Sequence, residues 1–460
     1  MKQENKTETY LYEPQHIADA RPDDVQSAQS FCEDYKAFLN AAKTEREAVA
    51  ETLRLLGAAG YTPFEYGKTF EPGSKVYVDN RGKCVIACTI GRRPLSDGVR
   101  LAIAHIDSPR LDMKPNPLYE SSGLALFKTH YYGGIRKYQW GATPLALHGV
   151  VYRADGTRAD VRIGEDEGDP VFCVTDLLPH LAADQSKRTL ADGLRGEELN
   201  IVLASLPDGE EDDKDRFKRA VMRILHEKYG FTERDFTRAE LCAVPAGKAV
   251  DVGFDRSMIG AYGHDDRVCA YTALRAEMDT ASPEYTTVCV LTDKEEVGSD
   301  GVTGLNSDYL FHFLQDLADM QGVVYRHMLR RSMCLSADVN AAFDPTFPDV
   351  LEKNNAAYLN RGVCVTKYTG ARGKSSTNDA SAEVMAFVTN LLDAEGVCWQ
   401  TGELGKVDQG GGGTIAKYVA NRNVDTVDIG VPMLSMHAPF ELVAKLDVYH
   451  TYLAFSAFAK

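Results

Sequence analysis

Apolar residues fall into three patterns along the chain, and each predicts a different element. The first is the short unbroken run. Thr286-Thr287-Val288-Cys289-Val290-Leu291-Thr292 has the length and β-branched content of a strand buried on both faces. Lys75–Asp79, Cys84–Ile90 and Arg100–Ile106 are similar runs separated by turn residues, and they read as strands too. The second pattern is helical spacing. Phe31, Tyr35, Phe38, Leu39, Val49, Leu53 and Leu56 recur along one long helical stretch. Ser30-Phe31-Cys32-Glu33 has the spacing of a capping box at its start, and Gly57 and Gly60 end it. The polar residues 1–26 before it are expected to form an arm with little structure of its own. The third pattern is a hairpin: an apolar strand through Leu145–Tyr152, the turn Asp155-Gly156, and a returning strand to Ile163.

From Asp251 onward strands and helices alternate. Helices are expected over Val268–Met278, Leu310–Met320, Ala380–Leu392 and Leu446–Lys460, with strands at Thr286–Thr292, Met333–Val339 and Val424–Ile429. That βαβ order predicts an α/β fold, a mostly parallel sheet flanked by helices. Residues 111–249 break the pattern. Aromatic and glycine residues crowd between Thr129 and Trp140, acidic loops occur at Glu165–Asp169 and Asp208–Asp215, and an amphipathic stretch lies near Phe217–Lys228. This segment reads as an inserted, β-rich second domain that separates the halves 1–110 and 250–460 of one α/β domain.

Composition narrows the function classes. A chain of 460 residues suggests two or three domains, and 44% apolar with 26% charged residues is the balance of a soluble globular protein. No run of 18 or more apolar residues is present, and the polar start Met1–Lys6 lacks the apolar core of a secretion signal. A net charge of −16 argues against nucleic-acid or anionic-membrane partners, which require a basic face. Ten cysteines are scattered without a CxxC pair, which predicts reduced thiols in a cytoplasmic protein.

The candidate chemistry sits at strand ends. Asp293-Lys294-Glu295-Glu296-Val297-Gly298-Ser299 comes directly after the buried run at 286–292. It thus lies at a strand's C-terminal end, where open α/β sheets bind ligands. Two adjacent glutamates are costly to ionise together without a cation. A metal is the expected compensation, with one Glu as ligand and the other free as a base. His105 ends another apolar strand, and Asp107, two residues on, is placed to take the other ring N–H and fix the tautomer. Gly263-His264-Asp265-Asp266-Arg267 opens a helix, where an Asp is ordinarily a cap. Asp338 ends the strand that starts at Met333, and His437 lies beyond the loop Gly430-Val431-Pro432. Each of these alone has an ordinary structural reading. Together they supply nitrogen and oxygen donors that suit Zn²⁺, Co²⁺ or Mn²⁺ and not a thiolate site. Two metals about 3.5–4 Å apart need one bridging carboxylate and two more ligands each. Five of these residues meet that count, and one Glu remains as general base.

The motifs Ala104-His105-Ile106-Asp107-Ser108-Pro109, Lys114-Pro115-Asn116-Pro117, His264-Asp265-Asp266-Arg267, Asp293–Ser299, Ser336-Ala337-Asp338 and Ser435-Met436-His437 resemble, in order, those of the aspartyl aminopeptidase (aminopeptidase I) family of dinuclear zinc peptidases. The resemblance implies a metal-dependent aminopeptidase that removes the N-terminal residue of short peptides with a free N-terminus. It implies that Asp265 bridges two divalent ions, zinc first and cobalt or manganese as alternatives. His105 and Asp338 would complete one site, and Glu296 with His437 the other. Glu295 would be the base that activates the bridging water, and Asp107 would orient His105. It also implies that the insert builds dimers and that these assemble into a closed tetrahedral dodecamer.

The departures lie on the family's substrate side. Val339-Asn340-Ala341-Ala342-Phe343-Asp344 lacks the family's histidines, Lys367-Tyr368-Thr369-Gly370 replaces a Lys-His-Asn-Ala-type segment, and Gly410–Gly413 replaces a shorter loop. The acidic-residue preference in the family's name is therefore not carried over. Gly410–Gly413 reads either as a close backbone approach to substrate or as a surface loop. Lys367 reads as a partner for a substrate carboxylate or as an exposed lysine. His130 reads as structural or as reaching a neighbouring subunit's site, and His264 as a support for the metal ligands and not itself a ligand. The alternatives to an aminopeptidase are a related co-catalytic carboxypeptidase or deacylase, and a non-catalytic assembly protein on the same fold.

Overall fold

The strand Thr286–Thr292 is buried along its whole length, near the middle of a nine-stranded sheet. The structure is a computed structural model and describes residues 10–12 and 14–460. Thr286–Thr292 runs parallel to Val99–His105, which runs parallel to Met333–Ala337, which runs parallel to Asp425–Gly430. Alternate residues serve opposite faces, as the pleat requires. Cys289 and Leu291 join a core with Val268, Val448 and Phe455, from the helices His264–Asp279 and Lys445–Ala459. Val288 and Val290 join a second core with Leu310 and Leu314, from the helix Tyr309–Met320.

Five of the eight strand pairs in this sheet are parallel, and its flanks add antiparallel pairs that the alternation of strands and helices did not predict. Lys75–Asn80 and Cys84–Thr89 form an antiparallel hairpin, and Cys84–Thr89 also pairs antiparallel with Thr286–Thr292. Val363–Thr366 lies antiparallel to Asp425–Gly430. The hairpin arises from its connection. Arg81 and Gly82 both adopt positive φ, and so short a turn joins only antiparallel neighbours.

The single long helix of the sequence reading is two helices, Asp24–Ala41 and Glu45–Ala58. The capping box is not at Ser30–Glu33, which lie inside the first helix. It belongs to Thr44, whose side chain accepts the Glu47 N–H while the Glu47 carboxylate accepts the Thr44 N–H. The apolar spacing runs through the break because both helices pack on one core, so periodicity alone did not reveal it. The expected arm also differs. Ile17–Ala20 is a short helix whose Ile17 is buried against Ala28 and Leu446, while residues 1–9 lie outside the described residues.

A seven-stranded sheet is built from segments between Arg110 and Pro245. Its pairs are antiparallel, among them the hairpin Leu145–Tyr152 with Arg158–Ile163. Leu111, Phe127, Trp140, Phe231 and Phe236 form its own core, joined by Val221 and Leu225 of the helix Arg216–Tyr229. A third, five-stranded sheet was not anticipated. It joins Val250–Val252 and Met258–Ala261 to Glu441–Ala444 and Pro432–Leu434, and so brings residue 265 close to residue 437. None of the ten cysteines is paired. Among the described residues no helix is long and apolar enough to cross a membrane.

Candidate metal centre

Three parallel strands end at one sheet edge, and the site is built on the residues at and just beyond their C-termini. His105 is the last residue of Val99–His105 and sits in register with Thr292. After Thr292 the chain turns through Lys294 (φ 68°) and Gly298 (φ 99°), and a 3₁₀ turn at Glu295–Val297 carries both glutamates. Asp338 comes directly after Met333–Ala337, and its N–H bonds to the Ile429 carbonyl at 3.2 Å. Asp265 does not act as a helix cap. Asp265 and Asp266, joined by a cis peptide bond, both have non-helical backbone at the start of the segment His264–Asp279. The Asp265 carboxylate faces two histidines instead.

Its two oxygens are divided between them. Asp265 Oδ1 lies 3.2 Å from His105 Nε2, and Oδ2 lies 3.2 Å from His437 Nε2. His105 Nε2 is also 3.7 Å from Asp338 Oδ1, and His437 Nε2 is 3.6 Å from Glu296 Oε1. The result is two donor triads, His105–Asp265–Asp338 and Asp265–Glu296–His437, each with ligand atoms within 4.8 Å of one another and with Asp265 in common. Asp107 Oδ1 lies 3.3 Å from His105 Nδ1, the nitrogen that faces away from the triad. The same carboxylate accepts the N–H groups of Glu295 at 3.1 Å and Glu296 at 3.2 Å.

The electrostatics of this cluster call for a cation. Asp265 Oδ1 and Glu296 Oε1 are buried and face only a ring nitrogen each, His105 Nε2 at 3.2 Å and His437 Nε2 at 3.6 Å, which bears no proton in a neutral ring bonded through Nδ1–H. Buried carboxylate oxygens without donors are costly, and a metal ion would satisfy both. Burial, reinforced by the charge of Asp265, pushes Glu296 well above the ordinary carboxylate range, and burial also raises Asp338. Glu295 is pushed up to about 8 by burial and by the charges of Asp338, Asp107 and Asp265, against His105. Burial alone would lower His437, but Asp265 and Glu296 carry it up to about 11. His105 is likewise raised against its burial by bonds to Asp107, Asp265 and Asp338. The nitrogen and oxygen donor set fits zinc, whose charge would offset the buried carboxylates.

Several contributors were given no role in the sequence reading. Glu441 is buried, and its two oxygens accept the His437 N–H at 2.8 Å and the Asp265 N–H at 3.2 Å. One carboxylate thereby clamps the backbones of two residues of the donor triads that lie 172 positions apart (437 − 265). Ser108 Oγ donates to the Asp265 carbonyl. Tyr132, Gly133 and Gly134 also touch the centre.

Other candidates stand apart. Both ring nitrogens of His264 are taken, by the Tyr35 hydroxyl at 2.7 Å and the Ile259 carbonyl at 3.2 Å, so this histidine braces a helix rather than a ligand. Burial depresses it to about 3 and keeps it neutral. His130 lies with Lys114, Lys137 and Arg195 around a surface cleft. Lys367 is paired with Asp379. The loop 410–413 is locked to its neighbour by Gly370 N–H donating to the Gly412 carbonyl at 2.6 Å. A Cβ on Gly411 would meet the Gly370 carbonyl oxygen at 1.9 Å. A short helix, Ala416–Ala420, follows this loop, and the Thr414 hydroxyl donates to the buried Asp428 at 2.6 Å.

The chain is similar over most of its length to known proteins. The sequence profile described as "Aminopeptidase I zinc metalloprotease (M18)" matches residues 38–459. The chain is 48% identical over 446 residues to a probable M18 family aminopeptidase 1 of Clostridium acetobutylicum, covering 95% of this chain and 96% of that protein. It is 47% identical over 433 residues to the corresponding Thermotoga maritima protein, covering 93% and 95%. The crystal structure of an M18 family aminopeptidase from Thermotoga maritima superposes with a TM-score of 0.94 at 44% identity, covering 98% of this chain and 100% of that one. The Saccharomyces cerevisiae mApe1 dodecamer shares the fold, with a TM-score of 0.77 at 21% identity over 95% of this chain and 97% of that one.

Proposed function

The chain belongs to the aminopeptidase I (M18) family of zinc metalloproteases, and on that premise we propose that it removes N-terminal residues from short peptides at a centre for two metal ions. The observation that carries this reading is the division of Asp265, one oxygen toward His105 and the other toward His437. In this reading Asp265 bridges, His105 and Asp338 complete one site, and Glu296 and His437 complete the other. Bound zinc ions would polarise the scissile carbonyl and acidify a water.

The chain's own residues do the rest. Glu295, whose carboxylate shares the buried edge with Asp338 and Asp265, takes the proton of the attacking water and passes it to the leaving amine. Asp107 holds the His105 ring so that Nε2 faces the site. Exposure of the His437 side chain (35%) and the Asp338 side chain (15%), against 1% for His105, supports a mouth on the side of these two residues. Substrate enters there.

The 111–249 segment is the assembly unit in this reading, set between the halves 1–110 and 250–460 of the catalytic unit. Val171, Leu177, Leu178, Leu181 and Leu190 expose half or more of their surface within it, which supports burial in a homo-oligomer of dimers. Assembly to a dodecamer is suggested by the fold shared with the yeast dodecamer. Unpaired cysteines support a reducing, cytoplasmic setting.

The test is Glu295→Gln. Turnover of free-amine peptides should fall about 10²–10⁴-fold while metal content is retained, the usual share of a general base. Near-native turnover in this variant would sink the assignment. Cleavage of N-blocked peptides as fast as free-amine ones would argue instead for a deacylase or carboxypeptidase.

A further inference from the structure

The β-rich insert does more than carry apolar surface, because its strand Leu124–Tyr132 runs out at the metal centre. Three consecutive residues reach three different residues of the site. The Tyr132 hydroxyl donates to Asp107 Oδ2 at 2.8 Å. That carboxylate faces His105 Nδ1 at 3.3 Å and holds the Glu295 and Glu296 N–H groups. Gly134 offers its carbonyl to His437 Nδ1 at 2.7 Å, which leaves His437 Nε2 turned toward Asp265 and Glu296. Gly133, at φ 74°, passes so close to Glu296 that a Cβ would stand 3.2 Å from its Oε2 and 3.3 Å from its Cβ.

The two histidines are therefore held by the same device. Each has its Nδ1 engaged by an acceptor and its Nε2 aimed into a donor triad. For His105 the acceptors are the Asp107 backbone carbonyl at 3.1 Å and its carboxylate at 3.3 Å, the carboxylate being fixed in turn by Tyr132. For His437 it is a backbone carbonyl of the insert itself. An acceptor on the second ring nitrogen sets the tautomer and orientation of a metal-binding histidine, and its loss typically costs about 10–100-fold in affinity or activity.

We propose that residues 132–134 are a positioning segment of the metal centre, through which the insert sets the ligand geometry at both metals. Tyr132 acts through Asp107 on the His105 site. Gly133 and Gly134 act on the Glu296–His437 site. The seat of the insert and the competence of the metals are then one property, so displacement of the insert loosens both sites together. This rests on the two-metal reading above.

Tyr132→Phe is the cleanest probe, because Phe keeps the ring that stacks on Arg110 at 4.1 Å and removes only the hydroxyl. Gly133→Ala probes the other site. Tyr131→Phe is the control, since Tyr131 is exposed and its ring stands beside Lys137 at 5.8 Å. Each full-length protein, stripped of metal, is titrated with Co²⁺ alone, reading visible absorption and affinity by chelator competition, with thermal unfolding recorded alongside. Wild type and Tyr131→Phe should bind two ions alike. Tyr132→Phe should weaken one ion about tenfold or more, alter its absorption, and lower kcat more than it raises KM. Gly133→Ala should weaken the other ion; if it does not fold, Tyr132→Phe decides. Variants that bind both ions with wild-type affinity and spectrum would overturn the proposal, whatever their stability. A wild type that does not bind two ions would overturn the two-metal reading and this proposal with it.

Discussion

Replacing Glu45 by Gln should remove about 3 kcal/mol of stability at neutral pH, and the loss should vanish in acid. Glu45 opens the helix Glu45–Ala58, and its carboxylate is buried against the first strand of the seven-stranded sheet. Oε2 meets Arg110 Nη1 at 2.8 Å, and Oε1 lies 3.5 Å from Lys83 Nζ. Burial alone would raise its pKa, but Arg110 and Lys83 hold it at about 2 against an ordinary 4.5. At about 1.36 kcal/mol per pH unit that difference is about 3 kcal/mol. Breaking a buried pair by removing one partner costs about 3–5 kcal/mol. Arg110 keeps Asp112 at 2.7 Å and Lys83 keeps Glu240 at 3.0 Å, which favours the lower end.

The depressed pKa sets the sign. The contribution is complete above about pH 4.5 and is lost as pH falls toward about 2, where the folded carboxylate also protonates. Urea unfolding of wild type and Glu45→Gln at about pH 7, 5, 4 and 3 reads the difference directly, with groups common to both cancelling. The gap should be widest at the two higher pH values and should close through the two lower ones. A gap below about 1 kcal/mol at neutral pH, the size of an exposed pair, would refute the burial argument. So would a gap that persists unchanged at the most acidic point.

Two further substitutions probe the centre. Glu441→Gln turns an amide donor toward one of the two N–H groups that the carboxylate accepts. An unmet buried donor costs about 1–3 kcal/mol, so kcat should fall about 5- to 150-fold with little change in peptide KM; unchanged kcat would remove Glu441 from the positioning role. Gly430→Ala would place a Cβ 1.7 Å from the Asp338 carbonyl oxygen. That residue must then move, so peptide turnover and melting temperature should both drop sharply, and a variant that matches wild type in both would contradict the close approach.

The ligand-bearing motifs were legible because each has a local signature. His105, Asp338 and the Glu295-Glu296 pair all lie at the ends of runs of buried strand residues, and strand ends are readable from apolar length alone. The break at Ala42-Lys43-Thr44 was legible in principle, since Thr44 and Glu47 have capping-box spacing, but the continuous apolar stripe hid it. Asp265 was ambiguous because an Asp before a helix is ordinarily a cap, and only the observed backbone turns its carboxylate toward the histidines.

Local patterning thus determined most of the strands and helices, placed the acidic and histidine residues at their ends, and pointed to a cation there. Periodicity reports which face of a segment is buried, not what it is buried against. The tertiary structure alone decided the antiparallel flanks, the five-stranded sheet that brings 265 to 437, and the way Asp265 divides its two oxygens. It alone revealed Glu441 as a clamp and residues 132–134 as neighbours of the centre. A backbone carbonyl such as that of Gly134 has no residue type by which a sequence could announce it, and a carboxylate such as Glu441 looks like any other acid until the fold buries it.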